Sequence, residues 1–73
     1  MSRLPQISGR DCEKALSKIG FIKRRQHGSH LILRRDKPFA QLVVPDHKTL
    51  DRGTLRSIIR QAELSVDEFL KLI

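Results

Sequence analysis

The chain of 73 residues has no tryptophan, no tyrosine and only three phenylalanines. That leaves little material for a platform on which single-stranded bases would stack. A single cysteine, Cys12, excludes a disulfide within the chain, and nothing points to an oxidising compartment. No apolar run exceeds three residues; the longest are Leu31-Ile32-Leu33 and Leu42-Val43-Val44. A membrane-crossing helix needs ~20 apolar residues and a secretory signal core ~7–15, so neither is expected. Internal repeats, low-complexity tracts and linker-like stretches are also missing. The expectation is one small soluble, cytoplasmic domain over residues 1–73, with a loose arm over 1–7 where Pro5 discourages helix. With 38% apolar residues the chain can build one thin core and no second one.

Acidic residues are scarce too. Asp and Glu number 8 against 15 Lys and Arg, which leaves a formal charge of +7 and a pI near 10.6. The excess is uneven: +5 over residues 1–25, +2 over 26–50 and 0 over 51–73. A basic first half on so small a domain favours a polyanionic partner, most simply nucleic acid, over a surface that only serves solubility.

Ser8 followed by Asp11 opens a helix, and Cys12, Ala15, Leu16 and Ile19 give it one apolar face. Gly20 suits the left-handed position that ends a helix, so the first helix is expected over 8–19. Three extended segments follow, over 21–26, 29–35 and 39–44. His27-Gly28 reads as a two-residue hairpin turn, Asp36-Lys37-Pro38 as the second turn, and Pro45 as the end of the third strand. After a connection over 46–50, Asp51 caps a second helix whose Leu55, Ile58, Ile59 and Ala62 form its buried stripe. Ser65 and Glu68 make a capping box for a short last helix carrying Phe69, Leu70 and Leu72. The order α-β-β-β-α-α implies an α+β fold with helices on one face of an antiparallel sheet.

With His27 and Gly28 as the turn, Gln26 pairs with Ser29 and Arg25 with His30. Side chains alternate between faces, so Ile22, Leu31, Leu33, Ala40, Leu42 and Val44 belong to the core side. Lys23, Arg25, His30, Ile32, Arg34, Gln41 and Val43 then share the open side, with Phe21 a candidate to reach it. An imidazole beside two cations suits phosphodiester cleavage in RNA. That reaction needs proton transfer at the 2′-OH and at the leaving oxygen, and positive charge on the transition state. Histidine titrates near neutral pH and serves either proton role. Taken by itself, a lone strand histidine is more commonly an ordinary solvated residue.

His27 and His30 lie three apart, but from a turn into a strand they are expected to point apart, so no metal site is expected. His27 reads as a solvated turn residue, and His47 as a brace for its loop more than a phosphate ligand. Cys12, on an apolar helix face, reads as a small core residue. Arg52, Arg56 and Arg60 step along one side of the second helix, where they either contact phosphates or pair with Asp51, Glu63 and Asp67.

Gly28-Ser29-His30 opens a strand and Val44-Pro45-Asp46-His47 closes another. Gly53-Thr54-Leu55-Arg56-Ser57-Ile58 follows with Gln61-Ala62, then Glu68-Phe69-Leu70. In this order, in a chain this short and basic, the motifs resemble the HicA (YcfA-like) toxin family of toxin–antitoxin modules from residue 8 to 72. The resemblance implies a double-stranded-RNA-binding-domain-like α-β-β-β-α fold. It implies a metal-independent mRNA interferase, an endoribonuclease that stops translation and growth, with no cofactor. His30 becomes the catalytic residue, with Gly28 and Ser29 in its motif. Lys23, Arg25, Arg34 and Arg56 are the companions that bind RNA or position phosphate. The expected partners are single-stranded or structured mRNA and a HicB-like antitoxin that covers the active surface, with no membrane and no small-molecule cofactor. The alternative is a non-catalytic RNA-binding module of the same fold; a third reading is an interaction protein for an acidic partner.

One position departs from the family pattern. Glu63 stands where Gly usually follows Gln-Ala. A side chain in left-handed geometry costs about 1 kcal/mol or more, so the second helix is expected to end differently or to run on towards Ser65.

Overall fold

Helix caps set where each helix begins. In the computed structural model, which describes residues 3–73, α1 (Gly9–Ser17) starts where the Ser8 hydroxyl accepts the Asp11 N–H at 3.0 Å. It ends before Gly20, which takes a φ of +99°. Helix α2 (Arg52–Gln61) starts on Asp51, whose carboxylate accepts the Thr54 N–H at 2.8 Å. Helix α3 (Val66–Leu70) carries the reciprocal Ser65–Glu68 box, with bonds of 2.8 and 3.1 Å. Between α1 and α2 lie β1 (Ile22–His27), β2 (His30–Asp36) and β3 (Phe39–Pro45), an antiparallel sheet in the order β1-β2-β3. The element order is the expected α-β-β-β-α-α of an α+β fold.

One face of the sheet supplies the core. Leu31, Leu33, Leu42 and Val44 alternate inward and meet Cys12, Ala15 and Leu16 of α1, Leu55, Ile58 and Ile59 of α2, and Phe69 of α3. Among the described residues no polar or charged side chain is buried. The connection after β3 is stitched to the chain ahead of α1: Gly9 N–H donates to the His47 carbonyl at 2.9 Å and Leu50 N–H to the Ile7 carbonyl at 2.8 Å. Leu4 and Ile7 therefore pack against the core, and of the expected loose arm only Met1 and Ser2 lie outside the described residues.

Three expectations need correction. The hairpin turn is Gly28-Ser29, with His27 opposite His30. Gly28 takes the positive φ, +56°, at the first central position of the turn, and Gly-Ser is a standard pair for such a hairpin. Next, β1 carries a bulge between Lys23 and Arg25. Moving the turn by one residue shifts each pairing by two and keeps Arg25 on the open side. The bulge adds one residue and exchanges the faces beyond it. Lys23 therefore stands opposite Leu33 on the helix side, and Ile22 opposite Arg34 on the open side, where it is 63% exposed. Phe21 consequently points inward and is buried, with the Arg35 guanidinium 4.7 Å from its ring centre. Finally, α2 does not run on. Glu63 adopts φ +62°, and the Glu63 and Leu64 N–H groups bond back to Arg60 and Ile59 in the pattern of a glycine-terminated helix.

Candidate functional site

The open face of the sheet is built from the outward alternates of the same strands that make the core. Strand β2 presents His30, Ile32 and Arg34, and β3 presents Phe39, Gln41, Val43 and Pro45 opposite them. Strand β1 adds Arg25 opposite Ile32 and His27 opposite His30. In a bulge two residues face one on the neighbouring strand, so Arg24 turns to the same side as Arg25. Arg24, Arg25, Ile32, Arg34 and Gln41 line one shallow hollow of about 360 Å³. Three of its five lining residues are cationic, Gln41 is polar and Ile32 is apolar. Arg34 forms an ion pair with Asp36, Nε to carboxylate oxygen at 3.0 Å, and its side chain remains partly exposed. Ile22, Phe39 and Val43 add exposed apolar surface around it.

His30 is the first residue of β2, two positions along the same face from Ile32 at the hollow. The turn that leads into His30 is held by two hydrogen bonds. The Asp46 N–H donates to the Ser29 carbonyl at 2.7 Å, and the Gln26 side-chain amide donates to the Gly28 carbonyl at 3.0 Å. Asp46 is itself clamped by Arg10 of α1, through Nε at 3.0 Å and an NH2 group at 2.9 Å. That hydrogen-bonded guanidinium holds the Asp46 carboxyl below its ordinary value and the Arg10 cation above. Arg10 is thereby engaged inside the molecule. Thr54 does the same to the Asp51 carboxyl through its backbone and side-chain hydrogen bonds.

The expected site residues divide by place. His30, Arg25 and Arg34 share the open face, with Gly28 and Ser29 forming the turn beside them. Lys23 is removed from it by the bulge. Arg56 lies exposed on α2, in the helix layer, and is not brought to that face. His27 is not a turn residue pointing away from His30; it is the last residue of β1, on the same face as His30. The His47 imidazole is exposed and its carbonyl is what braces the loop. Cys12 is fully buried, and burial pushes its thiol up to about 12, so it is a core group and not a nucleophile. No group of three or more His, Cys, Asp or Glu side chains comes together among the described residues.

A family model described as the HicA toxin of bacterial toxin–antitoxin systems matches residues 9–64 of the 73. The chain belongs to the HicA toxin family. It therefore has a toxin role in a toxin–antitoxin system. Comparison with curated proteins gave no significant match. Among the described residues no helix is long and apolar enough to cross a membrane. The family match covers α1, the whole sheet and α2, including the hairpin that carries His30. In this HicA-family chain the sequence reading passed over two members of the open face, Arg24 and His27. The available signal was the Gly28-Ser29 pair, which moves the turn by one and brings His27 opposite His30. Nothing in the sequence marked the bulge that turns Arg24 outward.

Proposed function

We propose that this toxin is a metal-independent endoribonuclease that cleaves mRNA and thereby stops translation and growth, with His30 as a general acid/base. The observation that carries the reading is His30 at the end of the hydrogen-bonded β1–β2 hairpin, exposed on the same sheet face as the Arg24, Arg25 and Arg34 hollow. Guanidinium groups bind phosphate through charge-assisted, bidentate hydrogen bonds and neutralise the charge that grows on it in the transition state. An exposed imidazole near neutral pH exchanges protons with a ribose hydroxyl or a leaving oxygen. Attack by the neighbouring 2′-OH makes RNA, not DNA, the substrate. The products are a 2′,3′-cyclic phosphate or 3′-phosphate end and a 5′-hydroxyl end.

The antitoxin side of the reading is a HicB-like protein that covers this face. The net charge of +7 calls for an acidic antitoxin surface, with association slowed by added salt.

Cleavage of a purified mRNA in EDTA, wild type against His30→Ala, tests the reading, with folding and RNA affinity measured alongside. The expected result is cutting by wild type and a loss of roughly 100-fold or more in a variant that still folds and binds. Ends carrying 5′-phosphate overturn the 2′-OH route. Binding by both proteins and cutting by neither replaces the nuclease with a non-catalytic RNA-binding module.

A further inference from the structure

Cleavage by 2′-OH attack involves two proton transfers, and His30 accounts for one. His27 and His30 are direct cross-strand partners at the end of the β1–β2 hairpin, separated by the Gly28-Ser29 turn. Residues so paired project from the same face with Cβ atoms about 5 Å apart. Both residues are exposed. Gly28 at φ +56°, the Gln26 bond to the Gly28 carbonyl and the Asp46 bond to the Ser29 carbonyl hold the two strand ends in this register.

We infer that His27 is the second proton-transfer group, and that His27 and His30 act as an acid–base pair across the hairpin. This rests on the ribonuclease reading above. One imidazole starts neutral and the other protonated. The O2′ lone pair forms the new P–O bond while its proton passes to the neutral imidazole. The P–O5′ bond breaks with its electron pair on O5′, which takes the proton of the imidazolium. The products are the 2′,3′-cyclic phosphate and the 5′-hydroxyl, with no oxidant, reductant or metal involved.

The surroundings favour a histidine in this role. On the same face, β1 contributes Arg24 and Arg25 and β2 contributes Arg34, all cations that serve phosphate and not proton transfer near neutral pH. Strand β3 contributes Pro45 and Val43, which carry no charge. Asp46, the next residue after Pro45, is taken by Arg10.

The test measures cleavage of a defined RNA oligonucleotide in EDTA by the full chain, comparing wild type, His27→Ala, His27→Gln and His30→Ala. Rates are taken across the imidazole range, roughly pH 5–8, with melting and RNA affinity measured for each variant. Wild type is expected to show a bell-shaped profile. Both His27 variants are expected to lose roughly 100-fold or more with binding retained, and to lose one limb of the bell. His30→Ala is expected to lose the other limb. A substrate with a 5′-bridging sulfur, whose thiolate leaves without protonation, rescues only the variant lacking the acid and so assigns the two roles.

A His27→Ala enzyme close to wild type, with His30→Ala inactive, overturns the inference and leaves the ribonuclease reading standing. Slower cleavage with both limbs intact reduces His27 to a structural role and overturns it as well. Activity that EDTA removes and zinc restores makes the pair a metal site instead. A wild type that does not cut RNA overturns both readings.

Discussion

The two faces of the sheet obey opposite rules. On the helix side every buried side chain is apolar, and Leu31, Leu33, Leu42 and Val44 close against three helices. On the open side the alternates of the same strands are imidazoles, guanidiniums and partly exposed apolar groups. Neighbours one residue apart, such as Leu33 and Arg34, thus belong to different functions. The first lowers the free energy of folding, and the second places a guanidinium on the open face. In a domain this small the core uses one face of the sheet and leaves the other exposed.

Truncating one neighbour on each face to alanine should separate their roles. Leu33→Ala is expected to cost about 3 kcal/mol through lost burial and a cavity. That is most of what a core of this size supplies, so denaturant titration should find the variant only marginally stable, its midpoint moved close to zero denaturant. Arg34→Ala should stay within about 0.5 kcal/mol of wild type in the same titration. Its expected effect lies in RNA affinity, where loss of one phosphate contact flattens the salt dependence by about 0.7–0.9 log units per log unit of salt. Equal destabilisation by the two changes would erase the division between the faces.

A second prediction concerns the seam where the helix side meets the loop that holds the hairpin. A Cβ on Gly9 would run into the Pro45 carbonyl and crowd the Asp46 Cα, backbone atoms that cannot swing aside. Gly9→Ala is expected to cost about 2–3 kcal/mol in denaturant titration. It should also loosen the amide exchange protection of Asp46, whose N–H anchors Ser29.

A smaller effect is expected at Glu63, after the end of α2. This residue holds a left-handed conformation at φ +62° and its exposed carboxylate meets the largely buried Arg35 side chain at 3.5 Å. Glu63→Gly relieves the backbone cost but enlarges the freedom of the unfolded chain, for a net gain of roughly 0.5 kcal/mol. A melting temperature raised by about 2–4 °C is the expected reading. A fall would mean that the Arg35 contact outweighs the strain.

The smallest effect is one of pH. The folded-state value of Asp46 is lowered, so the Arg10–Asp46 pair adds stability above the ordinary carboxylate value of 3.8, and that contribution fades as pH falls through the lowered value. Asp46→Asn should therefore flatten the loss of stability on acidification while changing the neutral melting point little, as thermal melts in an acid series would show. An unchanged acid slope would locate the acid sensitivity elsewhere, with Asp51 the other carboxyl held low.

Most of the fold was legible because its signals are local. Ser8, Asp51 and the Ser65–Glu68 box start helices through hydrogen bonds to N–H groups three residues on, and Gly20 ends one through its own φ. The inward alternation of β2 and β3 was legible for the same reason, since a period of two needs no partner to be read. Strand β1 was not, because its side chains are exposed on both faces and carry no hydrophobic alternation. With no apolar pattern to set the register, the turn at Gly28-Ser29 and the bulge before Arg25 set it instead.

By itself, then, the sequence determined the order of elements, the apolar set that forms the core, the basic excess and the family motif around His30. Only the tertiary structure decided which cations join that histidine. It moved Lys23 away, brought Arg24 in, set His27 opposite His30 and required a glycine at position 9. The physical reason is range: caps and alternation act within a few residues, whereas register and close approach depend on chain segments that meet only once the sheet has closed on its helices.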